Sequence, residues 1–159
     1  MPLTSTAFNA QDRYFFGEGT HSRLYDQLGC HLCAEGGARF AVWAPNAASV
    51  SVVGDWNGWN GDANPLEPHE DSGIWTGSAC EVTPGQAYKY RIHSRHNGYQ
   101  VDKADPFAFY CEAPPDTASR AWSLDYAWGD GEWMATRGPR NALDAPMSCL
   151  LYTSPSPRD

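Results

Sequence analysis

Residues Ala38–Asn60 read ARFAVWAPNAASVSVVGDWNGWN. The run contains two strand patterns and the turn that follows them. In Ala38–Trp43, Phe40 and Val42 fall on one face and Arg39, Ala41 and Trp43 on the other. That is the period of two expected of a pleated strand. Ala44-Pro45-Asn46 breaks the run, and Ser49–Val53 resumes it with Ser and Val alternating. Gly54-Asp55-Trp56-Asn57-Gly58-Trp59-Asn60 then sets two Trp around an Asn-Gly turn. Asn and Gly tolerate the backbone conformations that tight turns require.

The same rhythm continues outward. Gly73–Cys80 and Gln86–Ser94 alternate, and in the latter Tyr88, Tyr90 and Ile92 share one face while Lys89, Arg91 and His93 share the other. Asn97-Gly98 between them and Tyr99-Gln100-Val101 is a hairpin signal. Short strands about ten residues apart, divided by such turns, predict an all-β fold, a β-sandwich. Helix is expected only at the two ends. Arg23–Leu28, with Ser22 as cap and Gly29 after it, and Asp130–Arg137 are the candidates.

The chain has 159 residues, enough for one domain that buries about 70% of its unfolded surface. A formal charge of −8 argues against nucleic acid and against anionic membranes as partners. No apolar stretch reaches the roughly 18 residues needed to span a bilayer. Residues 1–19 lack the basic flank and apolar core of a secretory signal, so a cytoplasmic location is expected.

Catalytic signatures are missing. No serine sits in a G-x-S-x-G elbow, the five His are scattered, and Gly17-Glu18-Gly19 lacks the Lys and Ser/Thr of a phosphate loop. Asp55, Asp62, Glu70, Asp71, Asp102 and Asp105 lie mostly in turn segments, where Asp bonds its own backbone. Cys30 and Cys33 have knuckle spacing, but Cys80 and Cys111 are isolated, so reduced thiols are expected, with no metal and no cofactor.

The Trp56–Trp59 turn carries the binding chemistry. A pyranose stacks its apolar face on an indole while amides and Lys bond its hydroxyls. Trp56 is expected in the core; for Trp59, a core position and an exposed platform both stay open.

Residues 16–148 resemble the N-terminal region of bacterial glycogen branching enzymes of glycoside hydrolase family 13. The pieces that carry the resemblance are FGEGTHSRLYDQLG (16–29), GGARFAVWAPNAASVSVVGDWNGW (36–59), GIW (73–75), YKYRI (88–92), DKADPFAFYCEAPPDTAS (102–119) and RNALDAPMS (140–148). The resemblance implies an immunoglobulin-like β-sandwich, a carbohydrate-binding module of family 48, at 35–112. It also implies an N-terminal extension with a short helix at 1–34 and a linker at 113–148 leading to a catalytic (β/α)₈ barrel. The parent would be a retaining transglycosylase that moves α-1,4-glucan segments to 6-hydroxyls. Its Asp nucleophile and Glu acid/base would lie on the barrel, so no catalytic residue is assigned here and this piece is expected to be inactive. Residues 149–159, CLLYTSPSPRD, match the translation of a transposase-based sequencing adapter and are expected not to be native.

Likeness to the glycogen-binding modules of a eukaryotic energy-sensing kinase implies glucan contact at Trp59, Lys89, Tyr99 and Thr117. For Lys89 a solvated strand position is the competing reading. The partners implied are α-glucan (glycogen and maltooligosaccharides) and the barrel, with Trp122–Trp133 the stretch expected to need cover. The module of a debranching or trehalose-releasing hydrolase, and a stand-alone regulatory glucan-binding sandwich, are the alternatives.

Overall fold

A computed structural model describes residues 8–146. The adapter-like residues 149–159 lie outside them. The first elements among the described residues are helix α1 (Ala10–Gly17) and a 3-10 turn, Leu24–Asp26. Strands follow in order: β1 (Gly29–Leu32), β2 (Ala38–Trp43), β3 (Ala47–Gly54), β4 (Pro65–Pro68), β5 (Ile74–Ala79), β6 (Ala87–Ser94), β7 (Gln100–Lys103), β8 (Tyr110–Cys111) and β9 (Ser119–Arg120). All pairings among the described residues are antiparallel.

One layer runs β1-β2-β5-β4 and the other β4-β3-β6. The short β4 belongs to both: Pro65 and Leu66 pair with β3, and Glu67 and Pro68 pair with β5. The sheet therefore curls through β4 and closes on its own apolar face. Beyond β3, strand β6 meets β7 over residues 90–93 and β9 over residues 87–88, with β8 outside β9. The result is the all-β sandwich the alternation predicts. Strand pairing runs past both ends of the 35–112 span, to β1 on one side and β9 on the other.

Between the layers lie Phe40, Val42, Val50, Val52, Leu66, Trp75, Tyr88 and Tyr90. All but Leu66 lie on the alternating runs; Leu66 comes from β4, a strand that the alternation does not reveal. The Trp75 indole N–H donates to the Ala44 carbonyl at 3.0 Å, so the buried Trp leaves no donor unpaired. The opposite face of β2 and β5 is covered too. Ala41 and Ile74 pack with Phe8 and Leu28, and Phe16 and Leu24 lie against them.

Two local expectations need correction. The segment Arg23–Leu28 yields only the 3-10 turn, because Arg23 has no side-chain cap bond and Leu28 is drawn into the cluster with Ile74. The helix forms earlier, at α1. Asn9 caps it by accepting from the Gln11 and Asp12 amides, and the Asp12 carboxylate accepts from the Asn9 N–H in return. The hairpin expectation holds: Asn97 and Gly98 both have positive φ, and the Tyr99 N–H reaches the His96 carbonyl, as in a type I′ turn. The later segment, residues 126–146, carries α2 (Gly131–Arg140), where the sequence places a helix.

Candidate functional site

The loop after β3 is built by its own side chains. The Asn57 amide oxygen accepts from the Gly54 N–H at 3.0 Å, and its nitrogen donates to the Val52 carbonyl and to Asn64. Asn64 also accepts from the Trp56 indole at 3.0 Å. Trp56 stacks on Phe40 with centroids 5.7 Å apart, so it belongs with the core, as expected. The Asp55 carboxylate accepts from the Ala87 N–H at 2.8 Å, which fixes the loop to β6.

Gly58 and Trp59 then adopt φ of 62° and 61°. Left-handed backbone suits Gly58 but costs a bulky L-residue about 1–2 kcal/mol. Trp59 is held there at both ends. Its N–H donates to the Gly54 carbonyl at 3.0 Å, and its carbonyl accepts from Arg91 Nη1 at 3.4 Å. Arg91 is in turn clamped by Asp102 through two bonds of 2.8 Å, from Nε and Nη2. Such a planar fork is more specific than a single contact. The same bond depresses the Asp102 carboxyl below its ordinary range. Trp59 is half-buried, between the two positions left open by the sequence.

Lys89 and Arg91 are two residues apart on β6 and face away from the core that holds Tyr88 and Tyr90. The Lys89 ammonium donates to the Thr117 hydroxyl at 2.8 Å. Two residues 28 positions apart in sequence thus meet on one surface, beside the Arg91-anchored Trp59 loop. Tyr99 does not join them. It is 60% exposed on the hairpin, bonded to Ser94, about 17 Å of strand from Lys89. The ammonium and the hydroxyl meet on one face, with the Trp59 backbone anchored to its neighbour Arg91; an indole carried at such a place can stack on a pyranose while the polar groups bond its hydroxyls.

Three residues carry roles that the sequence reading does not assign: Arg91, Asp102 and Asp105. Arg91 and Asp102 stand opposite each other across the hairpin, whose closing pair is Ser94 and Tyr99; a two-residue Asn97-Gly98 turn would have put Arg91 opposite Ala104, so the turn signal alone does not reveal the pair. Asp105 gives no such signal. It is 5% exposed, and its Oδ2 accepts from Tyr88 at 2.7 Å and Tyr90 at 3.1 Å. Its Oδ1 accepts from the Phe107 N–H, and its own N–H donates to Ser119 Oγ at 2.8 Å. Burial raises its pKa, against the lowering effect of those donors. Burial also pushes the Cys30 thiol far above its usual range, Asp105 adding to it. No helix is long and apolar enough to cross a membrane among the described residues.

The chain is 64% identical over 138 residues to the 1,4-alpha-glucan branching enzyme GlgB of Albidiferax ferrireducens, covering 86% of this chain and 22% of that protein. It is 48% identical over 141 residues to the enzyme of the same name from Aquifex aeolicus, again covering 86% of this chain and 22% of the relative. It therefore spans about a fifth of the length of these relatives. Among solved structures, the Klebsiella pneumoniae pullulanase complexed with maltotriose matches 64% of this chain and 10% of its own, with a TM-score of 0.53 and 24% identity. PulA of Klebsiella oxytoca matches equally, with a TM-score of 0.53. Both show the fold alone. The profile of carbohydrate-binding module 48 (isoamylase N-terminal domain) matches residues 27–108. That is just over half of the sequence, and the chain belongs to the carbohydrate-binding module 48 family.

Proposed function

We propose that this chain binds α-glucan as the leading module of a glycogen branching enzyme and presents it to a catalytic barrel carried elsewhere on the parent. The parent cleaves an α-1,4 linkage through a covalent glycosyl-enzyme intermediate and transfers the segment to a 6-hydroxyl. In this reading residues 35–112 form the module, 1–34 lead into it, and 113–148 link it to the barrel. A cytoplasmic site of glycogen synthesis goes with it. The observation that carries the binding role is Trp59, held left-handed by Gly54 and Arg91 beside the Lys89–Thr117 pair. Backbone strain maintained by a dedicated ion pair is typical of positions kept for a ligand. The names of the relatives supply the substrate class.

Replacing Trp59 with alanine is expected to weaken retention on glycogen in affinity electrophoresis by about tenfold, the value of one lost aromatic stack and its buried area. The thermal midpoint should stay within a few degrees, because the residue is half-buried and alanine keeps the Cβ that sets the cost of the left-handed backbone, leaving that cost as it is. Unchanged retention with the fold intact would refute the assignment.

A further inference from the structure

The binding face does not end at Thr117. In an antiparallel sheet, residues directly opposite each other point to the same side. Ala87 pairs with Arg120, and Arg120 pairs with Tyr110. Ala87 has the parity of Lys89 on β6, so Lys89, Arg120 and Tyr110 share one face. The next residue of that parity after Arg120 is Trp122, and its ring meets that of Tyr110 with centroids 5.1 Å apart and planes tilted by 39°. The ring contact confirms the shared side. Two strand spacings and two residues of rise put the Cα atoms of Lys89 and Tyr110 about 12 Å apart. A face of that length accommodates several pyranose units of one chain.

The two rings are 50% and 44% exposed on the β8–β9 edge. Between them and Lys89 stands Arg120, whose Nη1 donates to the Gly85 carbonyl at 2.6 Å and whose Nη2 pairs with Glu112 at 3.2 Å. Glu112 also accepts from the Ala118 N–H, so Arg120 and the segment leading from Thr117 are held by one carboxylate. Adjacent rings flanked by a fixed guanidinium reproduce the first platform: an aromatic surface for the sugar face and a polar group for its hydroxyls.

We propose that Tyr110 and Trp122 form a second glucan platform, continuous with Trp59, Lys89 and Thr117, that takes the distal units of a longer α-1,4-glucan. This rests on the glucan-binding reading above. It makes binding depend on oligosaccharide length: a short glucan fills one platform and a long one reaches both.

Calorimetric titration of the 159-residue chain with maltotriose and with maltoheptaose tests it. Trp122→Ala and Tyr110→Ala are each expected to weaken maltoheptaose binding about five- to tenfold and to leave maltotriose binding unchanged. Trp59→Ala should weaken both. A second readout is independent of any truncated side chain. The indole N–H resonance of Trp122, assigned with Trp122→Phe, should shift on adding maltoheptaose and stay in place with maltotriose. If both edge variants bind maltoheptaose as the parent chain does, and the Trp122 resonance does not move while Trp59→Ala still weakens binding, the second platform is refuted. The glucan reading then stands, and the rings are left as a contact for another protein segment. If the unaltered chain binds neither sugar, the glucan reading fails, and the second platform with it.

Discussion

Asp105→Ala is expected to lower the unfolding free energy by about 2–4 kcal/mol, with a fall in the thermal midpoint of roughly 10 °C. The Asp105 carboxyl is the shared acceptor of two tyrosine hydroxyls inside the sandwich. Tyr88 and Tyr90 are both fully buried, and the alternative acceptor for Tyr90, the Ala41 carbonyl, is 3.5 Å away. Removing the carboxyl strands a hydroxyl that water cannot reach, and each such group costs about 1–3 kcal/mol. The Phe107 N–H loses its acceptor as well. Some of the loss is offset, because the cost of burying the carboxyl disappears with it. Denaturant melts of the two chains measure the difference, and a midpoint unchanged by the substitution would refute the network's role.

The same residue gives stability a pH dependence of defined sign. Its folded pKa is raised above the ordinary Asp value, chiefly by burial. The folded state therefore binds the proton more tightly than the unfolded state does. The resulting stabilisation is fully present below the unfolded pKa of about 3.9 and is lost as pH rises through the folded value. Asp105→Asn removes this titration while keeping one acceptor oxygen for the tyrosines. Relative to the variant, the parent chain should be more stable in mild acid and lose that advantage towards neutrality. Asp102 acts in the opposite direction, because Arg91 lowers its pKa. Its contribution is common to both chains and cancels in the comparison.

The strands that make the core were legible because each carries one apolar face with a period of two. Ala38–Trp43 reads correctly on both sides: Phe40 and Val42 enter the main core, and Ala41 enters the smaller cluster. Asn97-Gly98 was legible because a type I′ turn needs positive φ at both positions, and few other residues supply it. Helix α1 was not, since AQDRYFFG presents no apolar stripe. It is held by the Asn9 cap and by the Phe16 and Phe8 rings, 6.4 Å apart, at its end and just before its cap. The burial of Asp105 was not legible either. An Asp before Pro reads as a turn, and nothing local shows that tyrosines 15 and 17 positions earlier will close over it. The proposed binding face was partly visible: the family resemblance names Trp59, Lys89 and Thr117, but the Arg91–Asp102 clamp that holds the Trp59 backbone emerges only once the hairpin register is drawn.

Gly54→Ala should damage both the fold and the face, and so separate them from the Trp59 effect. Gly54 has φ −171°, extended backbone that any residue can adopt, so the demand for glycine is one of space. An added Cβ would sit 2.5 Å from the Ala87 carbonyl oxygen and 2.4 Å from Trp56 Cζ3. The backbone of β6 is fixed by pairing to β3, and Trp56 is fixed by its stack on Phe40 and its bond to Asn64. Neither can yield without losing those contacts, and overpacking of this kind costs about 1–3 kcal/mol. The Gly54 carbonyl is also the acceptor for the Trp59 N–H, so a shift at residue 54 moves the proposed sugar platform. Melting and glycogen retention should therefore fall together in Gly54→Ala, whereas Trp59→Ala lowers retention alone. A Gly54→Ala chain that melts normally yet loses retention would mean that the strand end adjusts and only the loop suffers. One that melts early yet binds normally would sever the proposed link between the packing of Trp56 and the pose of Trp59.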